Sequence, residues 1–311
     1  MIIQEMEYQP NLLASTLASK KVFSFAVLIP EPISPEAYWN KPMTGIREAF
    51  REIQQYGVNI HVHLFQQSDS QTFKNEADLV LESNPDGVVL APFFSNQSRA
   101  LIAELKIRGI PYVFIDSNVE DSEKLSYIGQ DSFQSGTLAA KLLDYSIPDT
   151  ASVLILHFAK ERDNMNHLVQ REKGFYEYFN LTYGANIRKL ITMEIADPTN
   201  PASQQKIKDT LQAHPEIKGV FVTNSQVYYL CRILEELNLS GIRIIGHDLI
   251  RENIDYLKKG TVDFLICQRP EEQGYRAIQS LFEHLILKKE VNPENFTSID
   301  IVTKENIDYY K

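Results

Sequence analysis

The chain has 311 residues, 43% of them hydrophobic and 23% charged, and carries a net charge of −10. That length suits about two domains with sizeable cores. The acidic balance, without a dense Lys/Arg run, excludes a free-standing nucleic-acid binder working through a basic patch, and no apolar run approaches a membrane span.

Taken in order, the chain opens on acidic residues without a basic start, so no secretory leader is read there. Pro10 suits the first turn of a helix and Asn11 can cap it. Leu13, Leu17, Ala14 and Ala18 then recur at helical spacing. About two turns of helix cannot stand alone, so a partner must order it. A strand over 22–29, rich in Val, Phe and Ile, ends at Pro30. A helix with Ile46, Ala49, Phe50 and Ile53 on one face follows, closed at Tyr56-Gly57. Strand 58–65, helix 71–82, strand 88–91, helix 96–108 and strand 110–115 come next. The short segment Tyr127-Ile128-Gly129 completes this half. A second set repeats the alternation: strand 151–158, helix 167–180, strand 187–195, helix 201–213, strand 219–223, helix 226–238, strand 242–246, helix 251–258 and strand 261–267. A helix over 271–288 and a strand near 297–303 close the chain. The pattern predicts an α/β fold of two similar Rossmann-like lobes, with parallel sheets covered on both faces and a ligand cleft between the lobes. The expected boundaries are 1–21, then 22–147 plus about 270–290 for one lobe, and 148–269 plus about 291–311 for the other.

In such sheets ligands bind at the carboxyl ends of the strands. Those ends carry Tyr38, Trp39, Phe93, Asp116, Asp131, Asn224, Asp248 and Gln268. Carboxylates and amides suit sugar hydroxyls, since each can bond two neighbours, and aromatic rings suit the apolar sugar face. Plainer readings stand beside these. Asp116, Asn224 and Asp248 also read as helix caps, Arg171 as a surface ion pair, Trp39 as an edge plug, and Phe93 with Phe94 as core. Cys231 and Cys267 read as buried thiols of a reducing cytosol. His61 and His63 lack a neighbouring acid or Cys and read as surface histidines rather than a metal site. There is no G-x-S-x-G elbow, Walker loop or H-E-x-x-H, so neither an enzyme nor a cofactor is expected.

The run Tyr8-x-Pro10-Asn11, Ala14-x-x-Leu17-Ala18, Lys20 resembles the hinge of the LacI/GalR family of bacterial transcription repressors. The resemblance continues through Gly45-Ile46, Tyr56-Gly57, Asp86-Gly87-Val88-Val89, Gly109-Ile110-Pro111 ending in Asp116, Asp131 with Gly136, Arg171-x-x-Gly174-Phe175, Gly246-His247-Asp248 and Gln268. The family's Phe is replaced by His247, and Ser15 stands where many members carry Arg. The resemblance covers almost the whole chain and extends to periplasmic sugar-binding proteins. It implies a type I periplasmic-binding-protein-like fold, with residues 1–21 as the end of a DNA-binding headpiece and a hinge helix. Asn11, Ala14 and Leu17 would meet DNA, Leu17 as a wedge in the minor groove. Tyr38 and Trp39 would stack on a sugar, and Phe93, Asp116, Asp131, Arg171, Asn224, Asp248 and Gln268 would line its site. The implied protein is a cytoplasmic homodimeric regulator whose operator affinity follows a sugar-type effector, most of its helix-turn-helix headpiece being absent from this sequence. The alternative is an exported sugar-binding protein of a transport or chemotaxis system.

Overall fold

A computed structural model describes residues 21–159, 165–184 and 188–310. The expected hinge helix, with Asn11, Ala14 and Leu17, lies outside the described residues.

The first sheet begins with β1 (Phe23–Pro30), whose residues are almost all buried. Helices cover both faces of such a strand, which is why its sequence is a continuous apolar run instead of an alternation. β1 pairs in parallel with β2 (Val58–Phe65) and β3 (Gly87–Leu90), placing Val27 beside both Val62 and Val89. β4 (Tyr112–Ile115) and β5 (Ser126–Gly129) extend the sheet in parallel. A short strand, β11 (Glu294–Phe296), lies next to β5, giving the order β11-β5-β4-β3-β1-β2. The helices between these strands are α1 (Asn40–Ile53), α2 (Ser70–Ser83) and α3 (Ser95–Ile107).

The second sheet repeats the plan with β6 (Ser152–Phe158), β7 (Leu190–Ile195), β8 (Ile217–Val222), β9 (Arg243–His247) and β10 (Phe264–Cys267). Its order is β12-β10-β9-β8-β6-β7, and β12 (Asp300–Val302) runs antiparallel to β10. The associated helices are α4 (Ser132–Ser146), α5 (Asn166–Tyr183), α6 (Pro201–Ala213), α7 (Val227–Glu236), α8 (Arg251–Lys259) and α9 (Pro270–Leu285). Two α/β lobes with mostly parallel sheets are therefore present, as the alternation predicts. The last strand is shorter than the expected 297–303, and β11 was not anticipated.

One compact unit comprises Trp39–Ile128 and Pro270–Asn295 with the segment up to Glu31; the other comprises Pro32–Tyr38, Gly129–Arg269 and Phe296–Lys311. The first boundary thus falls after Ile128, not after 147. The cause is an exchange of helices. α4 follows β5 of the first sheet yet packs on α5 of the second unit, and α9 follows β10 yet packs on α1 of the first. Each packing is a close helix crossing made by paired glycines. A Cβ on Gly136 would lie 1.8 Å from the Arg171 carbonyl oxygen, and one on Gly174 would lie 1.9 Å from that of Phe133. In the first unit Gly45 and Gly274 stand the same way against Glu271 and Pro42, at 1.9 and 2.0 Å.

Candidate functional site

The strand ends of the second unit gather a buried polar cluster. Arg171, in the first half of α5, is 1% exposed and ranks among the largest fully buried side chains. Its Nη1 donates to the Thr223 carbonyl at 2.7 Å and its Nη2 to Gln268 Oε1 at 3.1 Å. Gln268 Nε2 donates onward to Asp248 Oδ2 at 3.1 Å. One amide therefore joins a guanidinium to a carboxylate, using both of its polar ends. Arg171 Nε has no hydrogen-bond partner among the described residues. Its ion pairs are likewise absent there, so the surface-pair reading of Arg171 is not realised. A buried cation without an adjoining acid is held at a desolvation cost, and its free donor suits a neutral oxygen acceptor.

Asp248 is 3% exposed and adopts φ +68. Left-handed backbone costs a non-glycine residue about 1–2 kcal/mol, so the surroundings must impose it. Its N–H donates to the Ile266 carbonyl at 3.0 Å, and its own carbonyl accepts from Asn253 Nδ2 at 3.1 Å. Asn253, fully buried on α8, also bonds the carbonyls of Ser225 and His247 at 2.9 Å each. Asp248 does not cap α8, whose N-cap is Ile250. Asn224 is half-buried and fastens two strand ends: its Nδ2 donates to the Phe158 carbonyl at 2.7 Å and its Oδ1 accepts from Gln226 N–H at 3.3 Å. Asp131 is the N-cap of α4, accepting from Gln134 N–H at 2.9 Å. Its carboxylate thus has a structural task that the sequence reading did not assign.

His247, replacing the expected Phe, is fully buried and lies behind the cluster. It meets Ser135 Oγ of α4 at 3.2 Å and the Val222 carbonyl at 3.3 Å. Burial, and then the Arg171 charge, hold its pKa well below the usual histidine range, so it is neutral.

The first unit carries the other strand-end residues. Asp116 follows β4 as Asp248 follows β9, and it repeats the left-handed backbone at φ +67. Its N–H donates to Gln273 Oε1 at 2.9 Å, and its carbonyl accepts from Tyr127 at 3.3 Å. A loop and β5 follow it, so it caps no helix. Phe93 is 8% exposed and packs edge-on against Phe94, 5.4 Å between centroids, within a cluster that includes Phe65. Trp39 opens α1 as its N-cap residue and is buried, whereas Tyr38 is half-buried and belongs to the other unit.

Cys231 and Cys267 are free and buried, with burial raising both thiols to about 12. His63 pairs with Glu76 at 3.0 Å, a neighbour too distant in sequence to anticipate. Among the described residues no group of three or more His, Cys, Asp or Glu side chains could hold a metal ion, and no helix is long and apolar enough to cross a membrane. Sequence reasoning missed Thr223, His157, Gln273 and Asn253. Thr223, Gln273 and Asn253 touch Arg171, Asp116 and Asp248 from other elements, while His157 meets Thr223, and none belongs to a local motif.

The chain is 33% identical to a candidate LacI transcriptional regulator from Bacteroides fragilis of known crystal structure, covering 94% of this chain and 100% of that one with a TM-score of 0.87. It is 23% identical over 225 residues to the ribose import binding protein RbsB of Bacillus subtilis, 72% of this chain and 70% of that protein. An ABC transporter solute binding protein from Burkholderia graminis, solved with D-arabinose, shares the fold at 22% identity and a TM-score of 0.80, covering 94% of this chain and 98% of that one. The periplasmic binding protein domain model matches residues 25–290, and the chain belongs to that family.

Proposed function

We propose that this chain binds a neutral sugar and serves as the effector-sensing, dimerising part of a cytoplasmic LacI-type transcription regulator. The observation that carries the sugar reading is the buried array Arg171–Gln268–Asp248. A guanidinium donor and a carboxylate acceptor, fixed by one amide, can share adjacent hydroxyls of a polyol. In the same unit Asn224 adds a further amide at a neighbouring strand end. The ribose, arabinose and allose named for relatives and structural neighbours fit this chemistry.

The regulator reading is supported by the Bacteroides relative, alike over nearly its whole length, and by the hinge-like run Tyr8–Lys20. Sugar binding would shift the population of two arrangements that present the hinges differently, and so alter operator affinity. Two-fold operators require a two-fold protein, hence the homodimer. An exported sugar-binding protein is the second reading, favoured by the import-binding relatives. Light scattering at micromolar concentration separates them: a dimer supports the regulator and a monomer the transport protein. The reading frame upstream is an independent discriminator, through a helix-turn-helix or a leader peptide.

A further inference from the structure

Resting on the sugar-binding reading of Arg171, we infer that His157 is a positioning residue that sets the Arg171 guanidinium through Thr223. His157 lies near the end of β6 and is fully buried. Its Nδ1 is 2.8 Å from Thr223 Oγ1, and its Nε2 is 3.4 Å from Glu172 Oε2. Thr223, also fully buried, follows β8 and supplies the carbonyl that accepts from Arg171 Nη1 at 2.7 Å. This is the shorter of the two bonds that hold the guanidinium.

The contacts form a closed ring of elements. Glu172 follows Arg171 on α5. Its Oε1 accepts from Thr192 Oγ1 of β7 at 3.0 Å, and Thr192 meets Tyr176 of α5 at the same distance. The circuit runs from Glu172 of α5 to His157 of β6, on to Thr223 after β8, and back to α5 at Arg171, with Thr192 and Tyr176 bracing Glu172 from the side. Consecutive helical residues point in different directions, so Glu172 engages the histidine while Arg171 reaches the strand ends. Nε2 faces the Glu172 carboxylate and Nδ1 faces the Thr223 hydroxyl, which also lies 3.5 Å from the Leu156 carbonyl. Thr223 stands where the chain leaves the sheet; its N–H donates to the Leu156 carbonyl at 3.2 Å. The ring thereby fixes the rotation of the residue whose carbonyl orients Arg171. Supporting contacts of this kind decide whether a binding group sits in a productive geometry.

Two substitutions separate the ends of the imidazole. In His157→Asn the amide replaces Nδ1 and keeps Thr223 while releasing Glu172. In His157→Gln the amide reaches towards Glu172 and releases Thr223. Calorimetric titration of the full chain with D-ribose and D-arabinose should show His157→Gln binding at least tenfold more weakly, with His157→Asn within threefold of the native chain. Solvent exchange of the Arg171 guanidinium protons, followed by NMR without sugar, should accelerate in His157→Gln alone. Equal affinity and equal exchange in both variants would overturn the inference, as would equal losses in both. If neither sugar binds the native chain, the sugar reading fails, and the exchange measurement still decides the role of His157. Should both His157 variants fail to fold, Thr223→Val and Thr223→Ser replace them: loss in the first and retention in the second support the clamp, and equal behaviour refutes it.

Discussion

Replacing Gly136 with alanine tests whether the close crossing of α4 and α5 positions Arg171. The added Cβ would stand 1.8 Å from the Arg171 carbonyl oxygen, 2.6 Å from its carbonyl carbon and 2.8 Å from its Cα. All three are backbone atoms of a helix, so no side chain can rotate away. Relief requires α5 to retreat by roughly 1.5 Å, and overpacking of this kind costs about 1–3 kcal/mol. With a rigid obstacle the upper end applies, a fall in melting temperature of roughly 6–12 °C for a unit of this size. The same retreat moves Arg171, whose bonds to Thr223 and Gln268 measure 2.7 and 3.1 Å. Hydrogen bonds do not survive much beyond about 3.5 Å, so any ligand that relies on this guanidinium should bind at least tenfold more weakly. Gly45→Ala is the matched control. It meets the Glu271 carbonyl oxygen at 1.9 Å in the other unit and should cost similar stability without displacing α5. Differential scanning calorimetry and sugar titration on both variants give the comparison. A Gly136→Ala protein within about 0.5 kcal/mol of the parent would refute the close-packing argument.

Three further outcomes follow from other residues. Asp248→Gly should keep stability within about 1 kcal/mol of the parent, because glycine accepts the left-handed backbone freely, while sugar affinity falls; a large stability loss in urea unfolding would contradict this. His247 is held neutral in the folded chain while its unfolded pKa is near 6.5, so the unfolded state binds more protons as pH falls below that value. Its contribution, present above pH 6.5, should be lost progressively on acidification. Stability of His247→Phe, followed from pH 8 to 5, should show a shallower decline, and an unchanged decline would refute the assignment. Asp144 accepts from Tyr178, Tyr183 and the buried Arg188 at 3.0, 2.7 and 3.1 Å; Asp144→Ala should therefore cost about 3–5 kcal/mol by chemical denaturation.

The alternation of strands and helices was legible because both faces of each sheet are covered, so the strands of the buried interior read as apolar runs. The glycine-bearing motifs were legible as a pattern, but their physical task was not. Gly136 and Gly174 matter because two helices distant in sequence cross at that point, and the same crossing moved the unit boundary back to Ile128. β11 escaped notice because Glu294–Phe296 is three residues long and gains its conformation from β5. Among the candidate residues, Asp116 and Asp248 stood out by their position after strands, whereas the hydrogen bonds around their shared left-handed backbone come from Gln273 and Asn253, which no local pattern connects to them. Asp131 shows the converse, since its side chain is occupied as a helix cap. Thr223 and His157 remained invisible because their link to Arg171 is made through a main-chain carbonyl and a ring from separate strands.

The most direct test is calorimetric titration of the native chain and of Arg171→Ala with a panel of neutral aldoses that includes D-ribose, D-arabinose and D-allose. Saturable binding of at least one sugar is predicted for the native chain. Each charge-assisted bond contributes roughly 1.5–3 kcal/mol, so Arg171→Ala should weaken that binding by about tenfold to a hundredfold. Absence of binding across the panel, or equal affinity in the two proteins, would contradict the assignment of the Arg171–Gln268–Asp248 array as a sugar site.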